Sequence, residues 1–200
     1  IYLIEECNVR PESIFIATFT EKAAKELVTR ITNELANRNI TANINEMYIG
    51  TFHSLCLRML KEHLEYTRLR RNYRLMDSFD QQYMVFQNIH RFRSIPEIEI
   101  VLPNGGAWKQ AETICNFVNN LSEELVSPEE LMSDHDPSIA SLGRMLQEYR
   151  TILTEANLMD FSSIQIEAYR LLCDNEGILN ELRSAITHIM VDEYQDTNYI

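Results

Sequence analysis

Three short apolar runs, separated by helical patterns, most constrain the fold of this chain. They cover residues 13–19, 47–52 and 188–191. A continuous apolar run is typical of a strand that is buried on both faces, as in a parallel sheet. Parallel neighbours need a crossover connection, which a helix usually supplies. The runs therefore predict an α/β fold built on a parallel sheet.

The segments between these runs carry helical patterns. Thr20 is a predicted N-cap, and apolar residues at steps of mostly three or four predict a helix over residues 21–37. A further helix is expected from Ser54 onward. Residues 1–7 have the apolar pattern of the end of a helix, so we expect the chain to be a piece of a longer protein.

Strand signals vanish from about residue 67 to residue 150, which predicts an all-helical block. We assign the methionines and the aromatic residues of its helices to the core. The expected helices run from Asp77 or Ser78 to about Phe92, from Trp108 to Leu125, over a short stretch from Pro128, from Ile139 to Ala156, and from Asp160 or Ser162 to Cys173.

These patterns divide the chain into a sheet domain with a helical insertion. Residues 1–55 form the first part of the sheet domain, residues 56–152 the insertion, and residues 153–200 the second part. A parallel sheet interrupted by helices is an established layer architecture of α/β proteins.

The charge is unevenly distributed along the chain. Residues 1–110 hold 14 Lys and Arg against 13 Asp and Glu, a net of +1, whereas residues 111–200 hold 4 against 17, a net of −13. A polyanionic partner is therefore expected to meet mainly the first half. The four cysteines are far apart in sequence and no membrane span is evident, so we expect a cytoplasmic protein with reduced thiols. We also expect the chain to be a monomer.

Two carboxylates, Asp192 and Glu193, follow the third apolar run. Parallel sheets bind ligands at the carboxyl ends of their strands. There, a first carboxylate can hold Mg²⁺, directly or through water, and a second can orient and deprotonate an attacking water. This is the Walker B arrangement of P-loop NTPases. Taken alone the pattern is weak, and a solvated strand end is the competing interpretation.

The continuation of this segment makes it more specific. Residues 192–197, Asp-Glu-Tyr-Gln-Asp-Thr, resemble motif II of the UvrD/Rep/PcrA group of superfamily 1 DNA helicases. In the expected order, residues 18–24 resemble motif Ia, residues 50–54 motif Ib, residues 75–81 the start of the helical subdomain 1B, and residues 157–161 the segment that returns to the first RecA-like domain.

The resemblance spans essentially all 200 residues. It implies a partial RecA-like P-loop NTPase domain with a parallel sheet, interrupted by an all-helical insertion. Two departures are visible: the family often has Asn at the position of Glu21, and it usually has Asp-Asp at the positions of Ser162 and Ser163. Neither is a catalytic position.

The resemblance also implies a nucleotide site with ATP and Mg²⁺ as cofactors. Asp192 would hold the metal ion, Glu193 would be the general base, and Gln195 would link hydrolysis to DNA binding. No Gly-x-x-x-x-Gly-Lys-Ser/Thr sequence occurs in the 200 residues. We therefore expect the phosphate-binding loop to precede Ile1, and we expect the chain alone to lack ATPase and unwinding activity.

Motifs Ia and Ib imply an edge that grips single-stranded DNA. Phe19 is the candidate for stacking on a base, Gly50 would let the backbone approach DNA, and Thr51 and His53 would donate to phosphate. A core role for Phe19 and a purely structural role for His53 stay open. The DNA-binding candidates are Thr18, Phe19, Thr20, Gly50, Thr51, Phe52 and His53.

The implied function is that of part of an ATP-dependent 3′→5′ DNA helicase. Such an enzyme couples ATP hydrolysis to translocation on single-stranded DNA and to duplex unwinding, so its partners are single-stranded DNA and the junction with duplex. One alternative is a helicase–nuclease subunit of the RecB/AddA type. Another is a non-catalytic helical interaction module, which the acidic second half and the missing phosphate-binding loop favour.

Overall fold

A computed structural model describes residues 1–196. The chain is a mixed α/β structure, mostly helical, with small parallel sheets. In chain order its elements are α1 (Tyr2–Glu5), β1 (Ile14–Thr18), α2 (Glu21–Asn37), β2 (Tyr48–Thr51), α3 (Phe52–Glu62), β3 (Arg74–Leu75), α4 (Ser78–Gln87), α5 (Ile89–Arg93), α6 (Ala107–Glu123), α7 (Pro128–Met132), α8 (Pro137–Ala156), β4 (Leu158–Met159), α9 (Phe161–Asp174), α10 (Glu176–Ala185) and β5 (His188–Val191).

The described chain forms two compact units. Among the described residues, unit 1 is Ile1–Tyr66 together with residues 167–196, and unit 2 is Thr67–Ile166. The domain limits expected from the sequence, after residues 55 and 152, lie inside α3 and α8. The division of the chain into the ranges 1–55, 56–152 and 153–200 stays a prediction.

Unit 1 is built on a three-stranded sheet of order β2-β1-β5, in which both strand pairs are parallel. The predicted parallel sheet is therefore confirmed for the three apolar runs. The helix predicted after Thr20 is also confirmed, because α2 spans Glu21–Asn37 and the Thr20 hydroxyl oxygen accepts a hydrogen bond from the Ala23 N–H at 3.1 Å. Thr20 thereby satisfies one of the N–H groups that a helix start leaves without an intrahelical acceptor.

The strand β5 differs from the expectation of burial on both faces. Ile189 is 67% exposed and Met190 is 40% exposed, whereas Ile14 and Ala17 in the central strand β1 are buried. The strand order explains the difference, because β5 has β1 on one side and no second strand neighbour among residues 1–196. An apolar run in the sequence does not distinguish a central strand from an edge strand.

Unit 2 is a helical unit with its own hydrophobic core, formed mainly by residues of α4, α5, α6 and α8. The expectation of no strand between residues 67 and 150 is wrong at one place, because Arg74–Leu75 pairs in parallel with Leu158–Met159. A two-residue strand is too short to carry a periodic pattern. None of the helices within residues 1–196 is both long enough and apolar enough to cross a membrane.

The assignment of the helical aromatic residues to the core is wrong for Phe161 and Tyr169 of α9, which are 61% and 48% exposed, and for four residues of α4 and α6. Phe79 is 64% exposed, Tyr83 44%, Phe86 37% and Trp108 41%. The interior positions of α4 are instead filled by Gln81, Met84 and Val85. Periodicity places both sets of residues on a helix, but it does not say which face packs against the core.

Candidate functional site

The carboxyl ends of the three strands of unit 1 lie at one edge of the sheet. Thr18 at the end of β1 is in register with Thr51 at the end of β2. Ala17 is in register with Val191, and the Asp192 N–H donates to the Ala17 carbonyl at 2.9 Å. The segments resembling motifs Ia, Ib and II therefore meet at the edge where parallel sheets bind their ligands.

The two carboxylates that follow β5 are exposed. An Asp192 carboxylate oxygen accepts a hydrogen bond from the Glu193 N–H at 3.1 Å, and the Gln195 side-chain amide donates to the Glu193 carboxylate. Glu193 has a φ of 50°, in the left-handed region that a residue with a side chain seldom occupies. The chain thus turns sharply at Glu193, and such conformations cluster at functional sites.

An open cavity of about 440 Å³ lies beside Asp192, between α2 and the strands β1 and β5. Its polar lining includes Thr18, Glu26, Arg30 and Asp192. Asp192 thus borders a space that a solvated ligand can reach.

The donor set at this edge suits one way of holding Mg²⁺. Within residues 1–196, no group of three or more His, Cys, Asp and Glu side chains could form an all-protein metal site. Mg²⁺ in nucleotide enzymes is usually bound by only one or two carboxylates, with water and substrate phosphates completing its coordination. The exposed Asp192 carboxylate matches that mode, since oxygen is the ligand that Mg²⁺ prefers.

In the motif Ia segment the side chains differ sharply in accessibility. Thr18 is only 2% exposed, and its hydroxyl donates to the carbonyls of Thr20 at 3.2 Å and Gly50 at 3.5 Å. Phe19 is 57% exposed, so it is not a core residue. Phe19 is available to a base, whereas the Thr18 hydroxyl can meet a phosphate only by releasing its present acceptors.

In the motif Ib segment, the absence of a side chain at Gly50 lets the Ser54 hydroxyl lie close to the backbone of β2. A Cβ at Gly50 would lie 2.3 Å from the Ser54 hydroxyl oxygen. Thr51 is the N-cap of α3, since its hydroxyl oxygen accepts from the Ser54 N–H at 3.2 Å. The Thr51 hydroxyl also donates to a carboxylate oxygen of Glu21 at 3.2 Å.

Glu21 is named in the sequence analysis only as a departure from the family pattern, and its contact was missed. It lies within the segment that resembles motif Ia, in the first turn of α2, and its carboxylate accepts a hydrogen bond from the Thr51 hydroxyl in the segment that resembles motif Ib. A carboxylate at this place also stabilises the positive end of the helix dipole. The available signal was its position directly after a strand end, where side chains from neighbouring parallel strands meet.

Phe52 and His53 are partly buried at the start of α3. Burial lowers the pKa of His53 below its ordinary value, because it disfavours the charged imidazolium. At neutral pH the ring is therefore neutral. A neutral imidazole can donate one hydrogen bond to a phosphate, but it brings no positive charge.

The comparison with known families agrees with this geometry. A family model described as the UvrD/REP helicase N-terminal domain matches residues 1–200. The chain belongs to this family. The predicted resemblance is therefore confirmed, and it extends over all 200 residues of this chain.

Individual relatives are similar over nearly the same length. The chain is 32% identical to the ATP-dependent DNA helicase SRS2 of Saccharomyces cerevisiae over 216 residues, covering 100% of this chain and 17% of that protein. It is 29% identical to DNA helicase II of Escherichia coli over 197 residues, covering 98% and 25%, and 30% identical to the ATP-dependent DNA helicase Rep of Buchnera aphidicola over 201 residues, covering 99% and 28%. The chain thus spans only 17% to 28% of the length of these curated relatives.

Proposed function

We propose that this chain is part of an ATP-dependent DNA helicase, and that unit 1 belongs to its first RecA-like domain. One observation carries the proposal: the segments resembling motifs Ia, Ib and II end three parallel strands at one edge of one sheet. The names of the relatives favour a helicase over a non-catalytic interaction module. In this proposal residues 1–55 and 153–200 are the two parts of the RecA-like domain, and residues 56–152 are its helical insertion.

The nucleotide half of the site consists of the residues after β5. Asp192 would hold Mg²⁺, which would supply charge that stabilises the phosphate oxygens. Glu193 orients the attacking water and accepts its proton. The Gln195 amide donates to Glu193 in the structure and holds this carboxylate in place. Because an amide can both donate and accept hydrogen bonds, Gln195 links ATP hydrolysis at Glu193 to DNA binding.

The DNA half of the site is the edge formed by motifs Ia and Ib. Phe19 stacks on a base, and Thr20, Phe52 and His53 belong to the starts of α2 and α3, which follow the ends of β1 and β2. Thr18, Gly50 and Thr51 complete the set, and their present contacts hold the two strand ends together. Translocation in the 3′→5′ direction and binding at the junction of single-stranded and duplex DNA rest on the family resemblance.

The nucleotide role is tested by replacing Glu193 with Gln in the full-length protein that carries this chain. Loss of the general base is expected to lower DNA-stimulated ATP turnover by roughly 10²–10⁴-fold, with nucleotide affinity nearly unchanged. The matched control is Glu176→Gln, which makes the same change at an exposed carboxylate of α10. Near-normal turnover in the Glu193→Gln protein would remove the basis of the proposal.

The DNA role is tested by replacing Phe19 with Ala and measuring the binding of a fluorescent oligo-dT strand. Base stacking contributes ~1–3 kcal/mol per base, so the dissociation constant is expected to rise between about 5-fold and 150-fold. The control is Tyr2→Ala, because Tyr2 is an aromatic residue of unit 1 that is 69% exposed and lies outside the three motifs. Equal affinities of the two variants would contradict a stacking role for Phe19.

A further inference from the structure

Four exposed aromatic side chains of unit 2 form one connected cluster, which we call the aromatic patch. It consists of Phe79, Tyr83 and Phe86 on α4 and Trp108 on α6. The ring centroids of Phe79 and Tyr83 are 6.3 Å apart, and those of Tyr83 and Phe86 6.4 Å. Trp108 lies 5.9 Å from Phe79 and 5.5 Å from Phe86, so each ring contacts two others.

The aromatic patch is not needed to complete the core of unit 2. The core is filled from α4 by Met84 and Val85, which are 6% and 0% exposed. The helix α4 is therefore apolar on a second face as well. An aromatic side chain offers ~150–250 Å² of surface, so the exposed fractions of the four residues amount to about 400 Å². Contiguous apolar patches of this size on soluble proteins are commonly interaction sites.

The size of the aromatic patch limits what can cover it. A stable interface buries about 800 Å² on each partner, so a dimer held by this patch alone would be too small. A single helix covers an area of the right size. Phe79, Tyr83 and Phe86 recur at steps of four and three, which forms a stripe along α4 that a second helix can pack against.

The net charge of unit 2 favours a protein partner over a nucleic acid. Platforms that stack single-stranded bases combine aromatic rings with a positively charged groove. Residues 67–166 instead contain nine Lys and Arg against 14 Asp and Glu, a net of −5. The two helices that carry the aromatic patch hold Asp80, Lys109, Glu112 and Glu123, a net of −2. The surroundings thus favour a cationic peptide over a polyanion.

We propose that the aromatic patch is a docking surface for an amphipathic helix of a partner protein. The partner helix presents aliphatic or aromatic residues on one face and Lys or Arg residues beside that face. The apolar face packs against the stripe on α4 and against Trp108, and the basic residues face the acidic surface of unit 2. This site consists of residues of unit 2 only, and it does not depend on ATP hydrolysis.

The test uses the fluorescence of Trp108, which is the only tryptophan of the 200-residue chain. The probe is a synthetic 18-residue peptide of Leu and Lys in which the Leu residues recur at helical spacing. A second peptide has the same composition in an order that gives no apolar face. Burial of Trp108 is expected to shift its emission to shorter wavelength and to saturate with the first peptide, with at least roughly tenfold weaker binding of the second.

Two variants of the chain locate the binding. Replacing Phe79 and Phe86 together with Ser is expected to weaken binding roughly tenfold or more, because anchors of this kind dominate small interfaces. Ile100→Ser is the control, since Ile100 is 61% exposed in the same unit but lies outside the aromatic patch. Circular dichroism of each variant verifies that its helices are retained.

Four outcomes would overturn the proposal. The first is equal binding of the two peptides, which would indicate charge attraction alone. The second is equal loss in the two variants. The third is tighter binding of an oligo-dT strand than of the first peptide, which would make the aromatic patch a base-stacking platform. The fourth is an emission shift that depends on the concentration of the chain alone, which would indicate self-association.

Discussion

Removing the hydroxyl of Tyr149 should measure how much a buried hydrogen-bond network contributes to unit 2. Asp160 is 3% exposed, and its carboxylate has no cation among its hydrogen-bond donors in the described structure. One carboxylate oxygen accepts from the Tyr149 hydroxyl and from the Gln81 amide at 3.2 Å. The other accepts from the N–H of Ser163 at 2.7 Å and from its hydroxyl. The negative charge is thus stabilised by neutral donors only.

The magnitude follows from what each partner retains in the Tyr149→Phe protein. The Gln81 amide keeps acceptors on Asn119 at 2.8 Å and on Asp160, and Asp160 keeps three of its four donors. The substitution removes the hydrogen bond from the Tyr149 hydroxyl to the charged acceptor, which contributes about 1.5–3 kcal/mol. It also removes the hydrogen bond that this hydroxyl accepts from the Gln81 amide at 2.8 Å, but that amide retains its two other acceptors. Asp160→Asn should lower the free energy of unfolding further, because one carboxylate oxygen is replaced by an NH₂ group that faces hydrogen-bond donors instead of acceptors.

The assay is urea unfolding followed by the fluorescence of Trp108, which lies in α6 of the same unit. Trp108 reports on unit 2 even if the two units unfold separately. The control is Tyr83→Phe, because Tyr83 is 44% exposed and removal of an exposed hydroxyl usually changes stability by less than about 0.5 kcal/mol. A free energy of unfolding for Tyr149→Phe within that margin of the control would refute the reasoning.

Three further outcomes follow from the packing and the titration of single residues. A Cβ at Gly143 would lie 2.7–2.8 Å from backbone atoms of α7, so Gly143→Ala should lower the free energy of unfolding by about 1–3 kcal/mol. At Gly177 a Cβ would meet nothing within 4 Å, so Gly177→Ala should raise the free energy of unfolding by up to about 1 kcal/mol. Urea titrations of both proteins check this pair of outcomes. Gly50→Ala should lower the melting temperature through its contact with Ser54, and adding Ser54→Ala should restore most of the loss. Burial, and then the charge of Asp160, raise the pKa of Tyr149 well above its ordinary value, so the folded state favours the neutral phenol. The unfolded chain loses this proton at lower pH than the folded chain, so this stabilisation should be lost as the pH rises above about 10. The test compares the urea midpoints of the parent and Tyr149→Phe proteins, whose difference should be smaller at pH 11 than at pH 8.

Local signals in the sequence predicted the parts of the fold that depend on neighbouring residues. The bounds of α2 and its cap at Thr20 were predicted correctly, because a cap is made by a side chain and an N–H three residues later. The cap at Ser127 and the start of α7 at Pro128 follow from the same local rule. The meeting of Thr18, Thr51 and Asp192 at one edge was predictable because parallel strands end on the same side.

Features that depend on distant residues were not predictable from pattern. The exposure of Ile189 depends on which strand lies at the centre of the sheet, and the order of the strands cannot be inferred from an apolar run. The aromatic patch depends on which face of α4 packs against α6 and α8. The pairing of Arg74–Leu75 with Leu158–Met159 joins segments more than 80 residues apart, with only two residues in each strand.

The candidate DNA edge shows why residue type alone overstates the number of ligand contacts. Threonine hydroxyls suit phosphate, yet Thr18 donates to backbone carbonyls and Thr51 donates to Glu21. These bonds tie the end of β1 to the end of β2 and to the first turn of α2. A hydroxyl proton that holds the edge in shape is not available to DNA at the same time. In the proposed helicase we therefore expect DNA recognition by this edge to depend first on the exposed ring of Phe19 and on the backbone N–H groups at the starts of α2 and α3. The internal hydrogen bonds of the two threonines hold these helix starts in a fixed arrangement.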